Sequence, residues 1–477
     1  MLIQSVSPLT GETINTYETF SASHVDQIIN KAYSNQENFR KLSISEISKL
    51  FANLYSVINS QKDTISQLIH NEVGKSLPDA QYMEVDDILT GINKYLSRLP
   101  SFKDAQKMSV DRNIFPDSAF GLMNQHVGVI GVIMPWNYPF WMPMSFIVPA
   151  LMNGNPVVFK PSSYAIGVGL MIEKIFYQAG FPDYAIKTII GGPSVGLEIV
   201  KSEKIGKIMF VGSAEVGIDI ARRRVKNKHN ELTLEMGGNS AAIIFDDANF
   251  KNSMDAVFWN SCYYAGQVCT RTKRLLIHKN IYDRSKNYLV ELSQKYNQPD
   301  LLTEKIGPLI TQGSMNIIEH RIKKAIKAGN ILLEGGIRIP ENKLPKKYQK
   351  GNFFPITVIE IKNRDVDILS RETFAPVLPL IKFDTIEEAM TIANNTNYGL
   401  SANIFTDDQD KINYLIDNLE AGMVFINDSE VAYPGGNYWK GFGGSYLSTG
   451  SEDKFECMYY KKVIWEKESS IRRDWWF

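Results

Sequence analysis

Between Val127 and Phe159 the chain runs for 33 residues without a charge or a histidine. A run of that length is enough, taken alone, to cross a bilayer. It also holds five prolines (Pro135, Pro139, Pro143, Pro149 and Pro156) and three asparagines (Asn137, Asn153 and Asn155), which would leave polar groups without partners in hydrocarbon. The segment is therefore read as strand, turn, buried helix and strand, a βαβ-type unit inside a large core. A transmembrane segment is not expected.

The 477 residues suffice for two or three domains. An apolar content of 44% with 22% charged residues fits an ordinary globular protein. Fifty-two basic and 52 acidic residues cancel, so nothing favours nucleic acid or an anionic membrane surface as a partner. Cys262, Cys269 and Cys457 are too few and too scattered for a disulfide framework, which points to a reducing compartment, the cytoplasm. The opening MLIQSVSPLTGE lacks the basic and apolar regions of a signal peptide. Six histidines stand alone, with no HxxxH or CxxC spacing, so no metal site is expected.

In chain order, residues 1–23 suggest a small edge sheet around the turn SPLTGE. Apolar spacing of three and four then predicts amphipathic helices over 24–39, 44–58, 64–73 and about 79–99, with Ser23 and Ser43 as N-caps and Gly74 ending the third. Residues 101–126 are polar and aperiodic, a linker or a protruding hairpin. Five buried strands follow, over 128–134, 156–159, 186–190, 205–211 and 232–236, ending in PWNYP, KPSS, Gly191-Gly192, GSAEVG and EMGG. Strands alternating with helices imply a parallel sheet covered on both faces, with a ligand crevice at the carboxyl ends of the strands. A second strand–helix series begins at AAIIFDDAN (241–249), continues through a helix over 252–264 and GQVCT (266–270), and closes on the glycine-rich YPGGNYWKGFGG (433–444). The expected fold class is thus α/β.

Three positions carry chemistry. Cys269 lies in a turn after a helix, where converging N–H groups stabilise a thiolate and any oxyanion it creates, although a lone cysteine is more often a small buried hydrophobe. Glu235 is an acid in an apolar run; it either caps something or has its pKa raised into the range of a general base. Gly212-Ser213 opens a helix whose free N–H groups suit a phosphate, but a plain capping turn reads the same way, and the GxGxxG fingerprint is missing after the first strand.

PWNYP, KPSS, GSAEVG, EMGG, GQVCT, ETFAP, NTNYGLSA and GMVFIN occur in this order across 293 residues, from Pro135 to Asn427. That series resembles the aldehyde dehydrogenase superfamily, in its NAD(P)-dependent group that oxidises aldehydes to acids. The resemblance covers essentially the whole chain. It implies two Rossmann-like three-layer α/β domains, cofactor-binding (1–107 with 127–237) and catalytic (238–440), plus a small β oligomerisation element (108–126 and 450–470). It implies Cys269 as nucleophile, Asn137 as oxyanion donor together with the Cys269 N–H, and Glu235 as the base that hydrolyses a thioester. For NAD or NADP it implies Pro135, Trp136, Lys160, Ser162, Ser163, Gly212, Ser213, Gly237, Glu372 and Phe374. The expected substrate is a small-molecule aldehyde in a pocket of Tyr138, Trp141, Met142, Tyr263, Val268 and Tyr433. These are apolar or aromatic, without an arginine to pair a carboxylate, which favours an aromatic or aliphatic aldehyde. The strand-like MYYKKVIWE implies a homodimer or homotetramer.

Several positions depart from the pattern. Ser163 stands where relatives often have an acid that would repel a 2′-phosphate, so NADP is admissible beside NAD. Phe146 stands where some relatives have a basic residue near the glutamate. Tyr438, Gly444 and Ser445 replace a lysine, an arginine and a glutamate of the glycine-rich loop, which puts more weight on Glu235. Two alternatives remain: a relative that hands its thioester to coenzyme A, against which Glu235 argues, and a catalytically weak nucleotide-binding scaffold of the same fold. The terminal SSIRRDWWF suggests packing across a subunit boundary or, alternatively, a peripheral membrane foot.

Overall fold

In the computed structural model, which describes residues 1–103, 106–111, 113–115, 117–227, 231–429, 440–449, 451 and 453–467, the uncharged run becomes the strand Val129–Ile133, the buried helix Trp141–Met152 and the strand Val157–Lys160. Its asparagines make the burial tolerable. Asn155 Oδ1 accepts from the N–H groups of Val127 (2.9 Å) and Gly128 (3.1 Å), and its Nδ2 donates to the carbonyl of Met458 (2.8 Å). Asn153 Nδ2 donates to Pro149 O (2.8 Å), a helix-end carbonyl that also accepts the Asn153 backbone N–H. No described helix is long and apolar enough to cross a membrane.

The strands form two large sheets. In the first, the order is Glu231–Met236, Ile205–Gly212, Val129–Ile133, Val157–Lys160, Ile186–Thr188, all parallel, with Tyr446–Ser448 pairing antiparallel on the Glu231–Met236 edge. The chain starts in the middle, adds two strands to one side and then two to the other. The winding reverses between Val129–Ile133 and Ile205–Gly212, the place where open α/β sheets bind ligands. In the second sheet the order is Ile331–Glu334, Thr357–Glu360, Val377–Phe383, Arg274–His278, Ala241–Ile244, Ser401–Phe405, Met423–Ile426, parallel except for the first. Both are near-continuous apolar runs, as sheets covered on both faces require.

Only residues 237–240 separate Glu231–Met236 of the first sheet from Ala241–Ile244 of the second. The carboxyl edge of the first sheet therefore abuts the amino edge of the second. The expected crevice at the carboxyl ends of strands is thus half of the arrangement. Cys269, Glu372 and Leu400 all precede strands of the second sheet.

A third sheet pairs Tyr459–Lys467 with Ser118–His126 and that strand antiparallel with Gln106–Met108, so 101–126 holds a hairpin, as one of its two readings expected, joined along its other edge by a C-terminal strand. Other expectations shift at element ends. The first helix is capped by Ser21, whose side chain accepts from His24 N–H, not by Ser23. Ser43 forms a full capping box with Glu46, and Gly74 ends its helix at φ 75°, as expected. The fourth helix is interrupted by a π-helical turn, Gln81–Asp86, ahead of Asp87–Lys103. Cys457 sits in a 3₁₀ turn before the last strand, not within a strand.

Asn155→Leu keeps the volume but strands two buried N–H groups, and should destabilise the protein by about 3 kcal/mol. A lowered urea midpoint at unchanged secondary structure is the expected reading.

Candidate active site

The helix Phe250–Cys262 leads into three successive left-handed residues, Tyr264 (φ 48°), Ala265 (φ 51°) and Gly266 (φ 69°). Such backbone is costly for the first two and persists only where the surroundings enforce it. Here Tyr264 Oη donates to Val73 O (2.8 Å), and a Cβ on Gly266 would lie 2.6 Å from Ala375 O. The next residue, Gln267, is clamped through Nε2 to Tyr264 O and Pro308 O, and through Oε1 from Ile310 N–H (2.9 Å). Arg271 spends its guanidinium on the carbonyls of Ser261, Thr272, Thr373 and Val377. Cys269 lies between these clamps, half-buried, while Cys262 and Cys457 are core residues.

Burial pushes the Cys269 thiol up to about 12; the Lys273 ammonium opposes this, the carboxylates of Glu372 and Glu235 add to it, and the Thr270 N–H favours the thiolate. Without a bound ligand the thiol is thus in its neutral form near neutral pH.

Asn137 is held against the same loop. Its Nδ2 donates to Gln267 O (3.1 Å), and its second N–H has no partner among the described residues. The loop that carries it is fixed from behind by a buried ion pair, Lys75 Nζ to Glu84 Oε1 at 2.5 Å, with neither side chain exposed. The other Glu84 oxygen accepts from the N–H groups of Phe140 (2.8 Å) and Trp141 (3.1 Å), the open start of the helix Trp141–Met152. Lys75 also stands 3.6 Å above the Tyr138 ring and 4.8 Å from that of Tyr264, and burial lowers its pKa. One carboxylate, delivered by the π-helical turn, so ties the Asn137 loop to the Cys269 loop.

Glu235, at the end of Glu231–Met236, is buried, and its carboxylate takes part in no hydrogen bond among the described residues. Burial raises its pKa, and the Lys454 ammonium acts against that rise. Glu372 lies on the other side of the same turn: its Oε1 accepts from Gly238 N–H (3.1 Å) and pairs with Lys273 at 3.0 Å. A Cβ on Gly237 would fall 2.0 Å from Glu372 Oε2, so a side chain there would push the Glu372 carboxylate away from its partners at Gly238 and Lys273. Lys273 also donates to Cys269 O (2.6 Å). Ser445 is a cross-link: its Oγ donates to Gly237 O (2.7 Å) and accepts from Gly399 N–H (3.0 Å).

The remaining candidates line the carboxyl edge of the first sheet. Lys160 is buried; among the described residues its ammonium donates only to Pro161 O (3.2 Å) and no carboxylate pairs with it, and burial lowers its pKa to about 8. Gly196 leaves room beside it. Ser162 Oγ accepts from Tyr164 N–H (3.3 Å) and Ser163 Oγ donates to Gly191 O (3.5 Å). Ser213 caps the eleven-residue helix Ala214–Arg224, with Gly212 before it. Trp136, next to Pro135, meets the Phe374 ring edge-on at 5.8 Å. An ammonium without an anion, an open helix start and a glycine cradle at Gly237 together fit a dinucleotide.

Around the thiol, Leu400, Met423, Phe425 and Trp141 form an apolar cluster with Cys269. Tyr138 packs edge-on against Trp141 (5.9 Å), while Met142, Tyr263 and Val268 belong to the larger core beside it. Tyr433 and Tyr438 lie outside the described residues. Sequence reasoning missed Lys75, Glu84, Lys273, Leu400, Met423, Phe425 and Lys454. The apolar residues among them were visible only as strand starts, and the charged ones had no local pattern.

A model of the aldehyde dehydrogenase family matches residues 1–464, and the chain belongs to that family. It is 30% identical to a mitochondrial succinate-semialdehyde dehydrogenase of Oryza sativa subsp. japonica, over 96% of this chain and 85% of that one. Among solved structures, glyceraldehyde-3-phosphate dehydrogenase of Methanocaldococcus jannaschii complexed with NADP superposes with a TM-score of 0.88 at 29% identity, covering 98% of this chain and 99% of that one. A point mutant of betaine aldehyde dehydrogenase from Staphylococcus aureus in complex with NAD+ gives 0.92 at 26% identity, covering 100% and 96%. The protein is accordingly an oxidoreductase of the aldehyde dehydrogenase type.

Two outcomes follow. Lys75→Met leaves a buried carboxylate uncompensated and should cost about 3–5 kcal/mol, read as a lower denaturant midpoint. Iodoacetamide labelling of Cys269 in the nucleotide-free protein should accelerate about tenfold per pH unit from about pH 7 to about pH 10. A rate that levels off near the ordinary cysteine pKa would contradict the raised thiol.

Proposed function

We propose that this chain oxidises an aldehyde to its carboxylic acid with NAD or NADP through a covalent thioester on Cys269, released by water. The observation that carries the reading is the convergence of the Cys269 thiol, the Asn137 amide and the Glu235 carboxylate where the two sheets meet. The Cys269 thiol gives up its proton to water and the sulfur attacks the carbonyl carbon as thiolate, the C=O π electrons moving onto oxygen to give an anionic thiohemiacetal. Its oxyanion is received by the second N–H of Asn137 and the backbone N–H of Cys269, and the Gln267 contact fixes the amide plane for that task. Nicotinamide, when bound, supplies the two-electron oxidant that converts the thiohemiacetal to the thioester. Glu235 then takes a proton from water as the water oxygen attacks the thioester carbon; the C–S bond breaks and the acid leaves.

In this reading Lys160, Ser162, Ser163, Gly212 and Ser213 hold the adenosine and pyrophosphate end of the dinucleotide. Pro135, Trp136, Gly237, Glu372 and Phe374 hold the nicotinamide end. Residues 1–107 with 127–237 form the cofactor-binding domain and 238–440 the catalytic domain, a division supported by the two sheets. The substrate is an aromatic or aliphatic aldehyde, held by Tyr138, Trp141, Met142, Tyr263, Val268 and Tyr433. The apolar cluster around Cys269 supports it, as does the commitment of the nearby Arg271 to backbone carbonyls. Assembly as a homodimer or homotetramer in the cytoplasm through 108–126 and 450–470 completes the proposal. Exposed Val463, Ile464 and Trp465 on the strand Tyr459–Lys467 support that assembly.

Absorbance of reduced nicotinamide should rise with hexanal or benzaldehyde in the absence of coenzyme A, and Cys269→Ala should lower kcat by at least about a thousandfold. Succinic semialdehyde outperforming both would overturn the substrate assignment. Burial raises the Glu235 pKa and only its carboxylate accepts a proton, so kcat should climb with pH through a limb above the ordinary glutamate value of about 4.3. A limb at or below that value would contradict Glu235 as the base.

A further inference from the structure

The side chain of Lys273 is fully buried between the nucleophile loop and the junction of the two sheets. An ammonium has three N–H groups to place, and three oxygens surround this one. Cys269 O lies at 2.6 Å, Val268 O at 3.3 Å and Glu372 Oε1 at 3.0 Å. The backbone N–H of Lys273 donates to Ser240 O (2.9 Å), just ahead of the strand Arg274–His278. The side chain therefore turns back across its own loop and closes residues 268–273 into a ring. The Phe374 ring centroid stands 5.9 Å from the same ammonium.

Glu372 extends the ring to the other side of the site. Its Oε1 also accepts from Gly238 N–H (3.1 Å), and its side chain is 18% exposed. Its Oε2 lies against Gly237 and accepts no hydrogen bond among the described residues. Gly238 faces the nucleophile as well, since a Cβ there would stand 2.8 Å from Cys269 O. The Cys269 carbonyl, the Lys273 ammonium, the Glu372 carboxylate and the Gly238 backbone thus form one closed cluster. Arg271, the other cation beside Lys273, is already committed to backbone carbonyls. Desolvation disfavours an ammonium that serves two carbonyls alone, and the Glu372 charge offsets that cost. The Cys269 thiol feels the same ammonium as the cation opposing its burial, with Glu372 and Glu235 acting the other way.

We infer that Lys273 is a positioning residue that couples the two halves of the site: one ammonium holds the backbone presenting the Cys269 thiol against the Glu372 carboxylate, and leaves the second Glu372 oxygen free for the nicotinamide end of the dinucleotide. The inference rests on the reading of Cys269 as nucleophile and of Glu372 as a cofactor contact. It adds that the two are held by one group, so that a change at either is felt at the other.

The test uses the full-length protein, with NAD and NADP titrated by quenching of tryptophan fluorescence and iodoacetamide as the probe of Cys269 in the nucleotide-free state. Lys273→Met should weaken nucleotide binding about fivefold or more. It should also slow Cys269 labelling about tenfold at about pH 8, moving the labelling profile up by about one pH unit. Glu372→Gln should weaken binding too, and the double variant should bind no more weakly than the weaker single one, because both changes break one contact. If Lys273→Met does not yield folded protein, Lys273→Gln carries the same comparisons. Wild-type binding and labelling in the folded neutral variant, loss of one without the other, or penalties that multiply in the double variant would each overturn the inference and spare the reading beneath it. Glu372→Gln binding nucleotide like the wild type, or Cys269→Ala retaining turnover with hexanal, overturns that reading itself.

Discussion

The Lys75–Glu84 ion pair is the interaction on which the site depends. Two fully buried charges are expensive, and they are tolerated here because each is the other's partner and the carboxylate has further donors. Glu84 takes the Lys75 ammonium on one oxygen and the two N–H groups at the start of the helix Trp141–Met152 on the other. Lys75 completes its surroundings with the faces of Tyr138 and Tyr264. Tyr138 neighbours Asn137, and Tyr264 lies five residues before Cys269. The pair therefore ties the segment that carries Asn137 to the segment that carries Cys269.

The sheets set the rest. Because only residues 237–240 join Glu231–Met236 to Ala241–Ile244, the carboxyl edge of one sheet must face the amino edge of the other. Glu235, Gly237 and Gly238 lie at that junction, where Glu372 and Lys273 arrive from the second sheet. Ser445 bolts the junction from a third direction. The hydroxyl at 445 makes a structural hydrogen bond on each side, and the opposing charge that acts on the buried Glu235 is that of Lys454.

What the sequence made legible follows from how local each signal was. Parallel strands were readable because strands covered on both faces are continuous apolar runs, and the loops after them carry short strings of Pro, Asn, Gly and Ser. Asn137, Glu235 and Cys269 stood in such strings. Lys75, Glu84 and Lys454 did not: each is one charged residue in a helical or irregular stretch, indistinguishable from a solvated one until its partners are in place. The amino-edge contribution of the second sheet was missed because a strand's own pattern does not say which of its ends meets another sheet. Ser21 in place of Ser23, and the middle strand Ser118–His126, are boundary and pairing effects that composition does not determine.

The most direct measurement is intact and peptide mass spectrometry of Glu235→Gln after mixing with hexanal and oxidised nicotinamide cofactor. With water activation removed, the acyl group should accumulate as a thioester, adding the acyl mass to the peptide that contains Cys269 and to no other. The adduct should be absent without the cofactor and absent in Cys269→Ala. An adduct on Cys262 or Cys457, or none while reduced cofactor forms, would contradict covalent catalysis by Cys269.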